Sequence, residues 1–240
     1  MAARLDRRHF LKAATAGAAL AAAVPVAAQG RPEAATAAHP PHVPTDAPPD
    51  RARLFLTDDE AAFLTALIDV MIPADEVGPS GAEAGVVAYM DGQLAGAWGN
   101  GARMYLGGPW GEGTPQQGYQ LPLTPAQLVR AAIPEMEKAT RDAGAASFAE
   151  MPADKRNDFL AGVEAGDIGL ATLPGRVIMS VLQSMVVEGY FADPAYGGNR
   201  DMAAWRMIGF PGARGAYVDD IEASRGKPFQ TDPVSLADLQ

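Results

Sequence analysis

After residue 54, apolar residues recur at intervals of three and four, and nowhere do they alternate with polar ones over a sustained run. Thr57-Asp58-Asp59-Glu60 reads as a capping box: the threonine hydroxyl accepts from the amide three residues on, and the glutamate reaches back. Ala61, Leu64, Leu67, Ile68 and Met71 then predict a helix that Pro73 stops. Ser80 to Glu83 repeats the box, and Val86, Val87, Met90, Leu94 and Ala97 continue a second helix as far as Gly99-Asn100-Gly101. Thr124-Pro125, with Gln127 at the third position, opens a third helix in which Pro134 predicts a kink and Gly144 the end. Pro152 begins a shorter helix through Phe159 and Val163. Pro174 begins a strongly apolar one with Val177, Ile178, Val181, Leu182, Met185 and Val186. The pattern predicts an all-α protein: one irregular helical bundle over residues 54–240 with long loops rich in glycine and aromatic residues.

What precedes residue 54 is of another kind. In residues 1–28, Arg4, Arg7, Arg8 and Lys12 oppose a single Asp6, an alanine-rich run from Ala13 to Ala23 follows, and Val26-Ala27-Ala28 offers small residues for cleavage after Ala28. Asp6 to Lys12 reads as a twin-arginine export signal, carried by Arg7, Arg8, Phe10, Leu11 and Lys12, with Asp6 where Ser or Thr is usual. The run is too short for a permanent membrane span. These residues predict passage through the twin-arginine translocase, which carries folded proteins, and a periplasmic location. Residues 29–53 hold Pro32, Pro40, Pro41, Pro44, Pro48 and Pro49 among alanines and read as an extended tether.

The leader carries +3 against −10 for the whole chain, so the remainder stands at −13. That balance argues against nucleic acid or anionic lipid as partners. There is no cysteine, and all three histidines (His9, His39, His42) precede the helical region. Disulfides, thiolate metal sites, iron–sulfur clusters and c-type haem attachment are excluded, as are His-ligated zinc or haem and any nucleophile–histidine pair in the folded body. No Gly-x-Gly-x-x-Gly follows a strand and no Walker-type loop occurs, so the expected cofactor content of this chain is none. Met71, Met90, Met179 and Met185 fall at core positions, where scattered thioethers make a poor copper site. Four carboxylates are candidates for acid–base work: Asp69 and Asp75 at a helix end, and Glu188 and Asp193 beside an aromatic-rich loop. Each also reads as an ordinary capping or solvated group.

That loop is the most information-dense stretch. Between Glu188 and Ala213 lie Tyr190, Phe191, Tyr196, Trp205 and Phe210, although aromatics are 7% of the chain. Pro194, Pro211 and several glycines set its backbone shape. Asn199, Arg200 and Asp201 stand in its middle, and Asp201 is placed to N-cap a short helix bearing Trp205 and Ile208. Two readings stand side by side: a core-sealing loop with its polar groups satisfied internally, or a contact surface for another protein. A second long loop, Gly99 to Pro122, carries Tyr105, Trp110 and Tyr119, and reads either as folded over the helices or as a further contact patch.

The string EGYFADPAYGGNRDMAAWRMIGFPGA (188–213), together with LTDDEAAFLTALIDVMIPADEVGPSGAEAGVVAYMDGQL (56–94), resembles the gluconate 2-dehydrogenase subunit 3 family. The resemblance implies a small subunit without catalytic residues of its own. It would be bound to a large FAD-dependent dehydrogenase subunit, usually beside a multi-haem cytochrome c subunit supplying haem c. It also implies that this chain's leader would export the pair. Tyr190, Phe191, Tyr196, Asn199, Arg200, Trp205 and Phe210 are then the candidate partner-binding residues. Two other functions remain open on the residues alone: an exported carboxylate-dependent glycoside-active enzyme, and a sugar-binding protein using the aromatic loop as its platform.

Overall fold

The computed structural model describes residues 52–111, 113–114, 117–229 and 231–239; the leader and all but the last two residues of the tether lie outside them, including Arg7, Arg8, Phe10, Leu11, Lys12 and Ala28. Among the described residues there are seven α-helices and no β-strand, which makes the fold all-α. They are α1 (Asp58–Met71), α2 (Val86–Ala95), α3 (Pro125–Asp142), α4 (Ala153–Ala165), α5 (Gly175–Phe191), α6 (Ala203–Ile208) and α7 (Val218–Ala223). Single 3-10 turns lie at Pro194–Tyr196, Arg200–Met202 and Leu236–Leu239. No helix among the described residues is long and apolar enough to cross a membrane.

The most apolar helix becomes the axis. α5 packs against α1, α2, α3, α4 and α6, burying Ile178, Met179, Leu182, Met185, Val186, Gly189 and Tyr190. A helix apolar on more than one side is covered on more than one side. Around it, Phe63, Phe148 and Phe159 stack in sequence with ring centroids 5.0 and 5.7 Å apart. Met90 on α2 and Met179 and Met185 on α5 are core fillers.

Most helix starts follow the expected chemistry. The Thr57–Glu60 box forms in both directions, and Thr124 with Gln127 caps α3 in the same way. Two expectations need correction. The Ser80–Glu83 box closes, with the Ser80 amide donating to Glu83 at 2.7 Å and the Glu83 amide to the Ser80 hydroxyl at 3.1 Å. It caps only one turn, however, because Gly85 at φ +85° breaks the helix before α2 begins at Val86. A Cβ at Gly85 would lie 2.6 Å from the Gly197 carbonyl oxygen, so the break makes room for a distant segment. α2 also stops at Ala95, short of Ala97, where the chain folds back and the Gly99 amide bonds to Gln93. α3 runs through Pro134 to Asp142, and Gly144, at φ +91°, stands just past its end as expected. Pro134 lies on an exposed side, where water can reach the carbonyl it leaves without a partner.

The start of the folded body is clamped by residues the apolar pattern does not mark. The buried Asp91 carboxylate accepts from the amides of Leu54, Phe55 and Leu56 at 2.7, 2.9 and 2.8 Å. Arg130 lies 4.0 Å above the Phe55 ring, donates to the Phe55 carbonyl at 2.8 Å, and pairs with Glu60 at 2.6 Å. On the far side, Glu135 on α3 accepts from the Thr172 hydroxyl and amide. Burial alone would push this carboxyl up. The hydrogen bonds from Thr172 and from the Leu173 and Ala171 amides outweigh that and hold it below the usual carboxylate range.

Asp91→Ala should lower unfolding stability by about 3 kcal/mol in denaturant titration, since three amides lose one charged acceptor. Because Glu135 titrates lower in the folded state, its contribution is present above the ordinary carboxylate pKa and is lost as pH falls through the folded value. Glu135→Gln should therefore melt below the unsubstituted protein at pH 7, with the gap closing as the pH drops below about 4.

Candidate functional site

Residues 188–213 fold back over the C-terminal end of α5, and one close crossing sets their path. A Cβ at Gly198 would stand 2.0 Å from the Gly189 carbonyl oxygen, so only glycine lets the returning strand of chain lie on the helix end. The next residue, Asn199, takes a left-handed conformation (φ +45°) and is completely buried. Both ends of its amide are used: Nδ2 donates to the Ala192 carbonyl and Oδ1 accepts from the Ala204 amide, each at 2.9 Å. Asn199 thus supplies the side-chain acceptor expected of Asp201. Asp201 itself is exposed at φ +56°, with its backbone carbonyl taken by Arg206. The correction has a simple cause: the chain reverses at Asn199, so that residue, not Asp201, faces the start of α6.

The aromatic residues divide by direction. Tyr190 is buried, its hydroxyl donating to the Pro79 carbonyl at 3.1 Å and its ring edge-on to the half-buried Phe191 at 5.3 Å. Trp205 is also buried and donates from Nε1 to the Phe191 carbonyl at 2.8 Å. For Tyr190, Asn199 and Trp205, then, the structure gives the core-sealing role, and their side chains present no free surface. Tyr196 and Phe210 point outward, 55% and 41% exposed, with Phe210 held edge-on to Trp205 at 5.1 Å. Arg200 is exposed but anchored, its amide donating to Ala84 at 2.9 Å and its guanidinium to Glu83 at 3.2 Å.

A carboxylate joins this surface to the end of the chain. Asp193 is buried and accepts from the Ala195 amide (2.9 Å), the Ser235 hydroxyl (2.7 Å) and the Leu236 amide (2.8 Å). Beside it, Gly212 and Val234 form an isolated parallel bridge, and the turn Leu236–Leu239 packs against the turn Pro194–Tyr196. Neither Ser235 nor Leu236 could be foreseen as part of this site. A separation of more than forty residues leaves no trace in local spacing.

Of the remaining candidate carboxylates, Asp75 and Asp69 serve turns and Glu188 reaches another helix. Asp75 accepts from the Val77 and Gly78 amides at 2.8 and 3.1 Å, and Asp69 accepts from the Ala82 amide at 3.4 Å. Glu188 accepts from the Tyr89 hydroxyl at 3.4 Å. Burial, followed by that carboxylate, pushes the Tyr89 phenol up to about 12. In the other long loop, Tyr105 and Trp110 are exposed, their rings lying over Gly107 and Gly108. Tyr119 is half-buried, donates to the Leu123 carbonyl at 2.8 Å, and is pushed by burial to about 12. No group of three or more carboxylates and histidines among the described residues is arranged to hold a metal ion.

The body is helical among the described residues, and its buried Asn199 and Asp193 shape the aromatic loop. The family profile described as gluconate 2-dehydrogenase subunit 3 matches residues 58–212. The chain belongs to that family, and is thereby associated with a dehydrogenase complex. No curated protein and no solved structure matches it.

Gly198→Ala should cost about 3 kcal/mol or more, since the added methyl meets backbone and not a movable side chain. Gly215→Ala, where a Cβ meets open space, should leave the melting temperature unchanged. Thermal unfolding of the two variants checks the difference.

Proposed function

We propose that this chain is a non-catalytic small subunit that binds the large FAD-dependent subunit of a sugar or sugar-acid dehydrogenase and carries it, folded, through the twin-arginine route to the periplasm. Family membership supports the association with a dehydrogenase complex. The leader, with Arg7 and Arg8 ahead of its alanine-rich run, supports the export role. FAD and the redox chemistry belong to the large subunit in this reading. A multi-haem cytochrome c subunit would take the electrons onward, and any membrane attachment would come through such partners.

One observation carries the docking role. Asn199, Trp205 and Asp193 are committed to fixing the loop, and this fixed frame holds Tyr196 and Phe210 outward as rigid aromatic anchors. Aromatic side chains held in place before contact lose little conformational freedom on binding. Arg200 adds a cation whose backbone is already bonded to the α2 corner.

Two measurements test the reading. Replacing Arg7 and Arg8 by Lys should leave dehydrogenase activity in the cytoplasm; normal periplasmic activity would sink the carrier role. Phe210→Ser with Tyr196→Ser should weaken binding of the flavin subunit roughly tenfold while leaving the melting temperature within a degree or two. Unchanged affinity would remove these residues from the interface.

A further inference from the structure

Residues 213–239 follow the segment matched by the family profile and return to it as a strap. Its base is closed by the Ala213 amide donating to the Val234 carbonyl at 2.7 Å and the Val234 amide donating to the Pro211 carbonyl at 3.2 Å. Of the strap's described residues only Pro233 and Ser235 are buried, so little apolar surface holds it down. A segment of that kind opens at low cost unless polar contacts fasten it. Past the base, two helical caps fasten it by bonding to each other. Asp193 caps the turn Pro194–Tyr196, its Oδ1 accepting from the Ala195 amide at 2.9 Å. Ser235 starts the turn Leu236–Leu239: its hydroxyl oxygen accepts from the Ala237 amide at 3.2 Å, and its own amide donates to Asp238 at 2.9 Å. The Ser235 hydroxyl then donates to Asp193 Oδ1 at 2.7 Å, and the Leu236 amide donates to Oδ2 at 2.8 Å.

We propose that Asp193 and Ser235 form a cap-to-cap latch through which the end of the strap and the turn bearing Tyr196 open and close as one unit, so that Tyr196 is held for docking only while the strap is home. The carboxylate enforces the coupling. With the strap away, Asp193 keeps only the Ala195 amide of the three donors named above. A buried charge left so poorly satisfied turns toward water, and in turning it gives up that amide as well. The turn Pro194–Tyr196 is three residues long and buries none of its own side chains, so without its cap little keeps it wound. Asn199 and Trp205 hold their part of the loop through Ala192, Ala204 and Phe191, contacts that the strap does not make, so the opening is confined to the Tyr196 end. By linkage, whatever favours the wound turn also closes the strap. Asp193 and Ser235 are thus positioning residues. Their use in docking rests on the reading above, whereas the latch itself stands on the hydrogen bonds within this chain.

Hydrogen exchange on the full chain tests the latch. Ser235→Ala with Leu236→Pro removes both strap donors to Asp193 and leaves the Ala195 amide bonded to it; proline suits the first position of a helical turn. Exchange at the Ala195, Tyr196 and Gly197 amides should quicken at least about tenfold, while the Ala204 amide, held by Asn199, keeps its rate. In the reverse direction, Pro194→Gly should quicken exchange at the Leu236 amide about threefold. Purified flavin-binding subunit should bind the double variant roughly tenfold more weakly than the unsubstituted chain. If the three turn amides keep their rates, the latch is refuted and the docking reading is untouched. If they quicken but affinity stays within about twofold, the latch does not position Tyr196 and that role is overturned. If the unsubstituted chain fails to bind the flavin-binding subunit, the docking reading falls and the positioning role with it, while the exchange rates decide the latch by themselves.

Discussion

The architecture of the presented surface depends on one steric constraint: the returning chain touches the end of α5 backbone to backbone. At Gly198 the approach to the Gly189 carbonyl leaves no room for a side chain, and the Gly197 carbonyl of the same returning segment presses into the break before α2 at Gly85. Once the crossing is made, the chain must reverse, and Asn199 takes the reversal in a left-handed conformation that asparagine tolerates better than most residues. Its buried amide then serves both sides of the crossing, accepting from α6 and donating to the end of α5. Satisfied in this way, a buried polar side chain specifies one geometry; half-satisfied, it would cost more than it contributes. Trp205 folding onto the Phe191 carbonyl, and Phe210 resting on Trp205, follow from that reversal.

Both ends of the folded body are fastened by the same chemistry. Asp91 gathers three consecutive amides at Leu54–Leu56, and Asp193 gathers an amide and a hydroxyl at Ser235 and Leu236. A carboxylate has lone pairs enough to accept several donors at once, and charge-assisted bonds shielded from water are stronger than neutral ones. Long apolar side chains could not do this work, because the strap and the leading segment are short of buried surface. Fastened ends keep a surface ordered before any contact, and such a surface does not lose that freedom on binding.

The residue types of the helical region bear on what it can do. A chain whose helical region lacks both cysteine and histidine has few groups with which to hold a metal or activate a nucleophile. Its buried carboxylates, Glu60, Asp91 and Asp193, are occupied in a cap and in latches. Its distinctive residues are aromatic rings, glycines and one asparagine, which make contours.

Read along the chain alone, helix placement was legible because it is local: an apolar stripe at intervals of three and four, a threonine with glutamate or glutamine three residues on, a proline at the start. The all-α class and the five longer helices follow from such signals, and so does the importance of residues 188–213, where ring-bearing and backbone-shaping residues crowd together. What lies between distant segments was not legible. Tyr190 and Trp205 carry the same residue-type signal as Tyr196 and Phe210, yet the first pair faces inward and the second outward. Direction is set by the crossing at Gly198, not by neighbours in sequence. Asp91 and Asp193 look like any surface polar residue until the fold brings their donors from tens of residues away. The sequence by itself determined which pieces are helical and which stretch is special. Only the tertiary structure decided which of that stretch's side chains are spent holding it together and which are left exposed, because burial and hydrogen-bond satisfaction are properties of segments that meet in space.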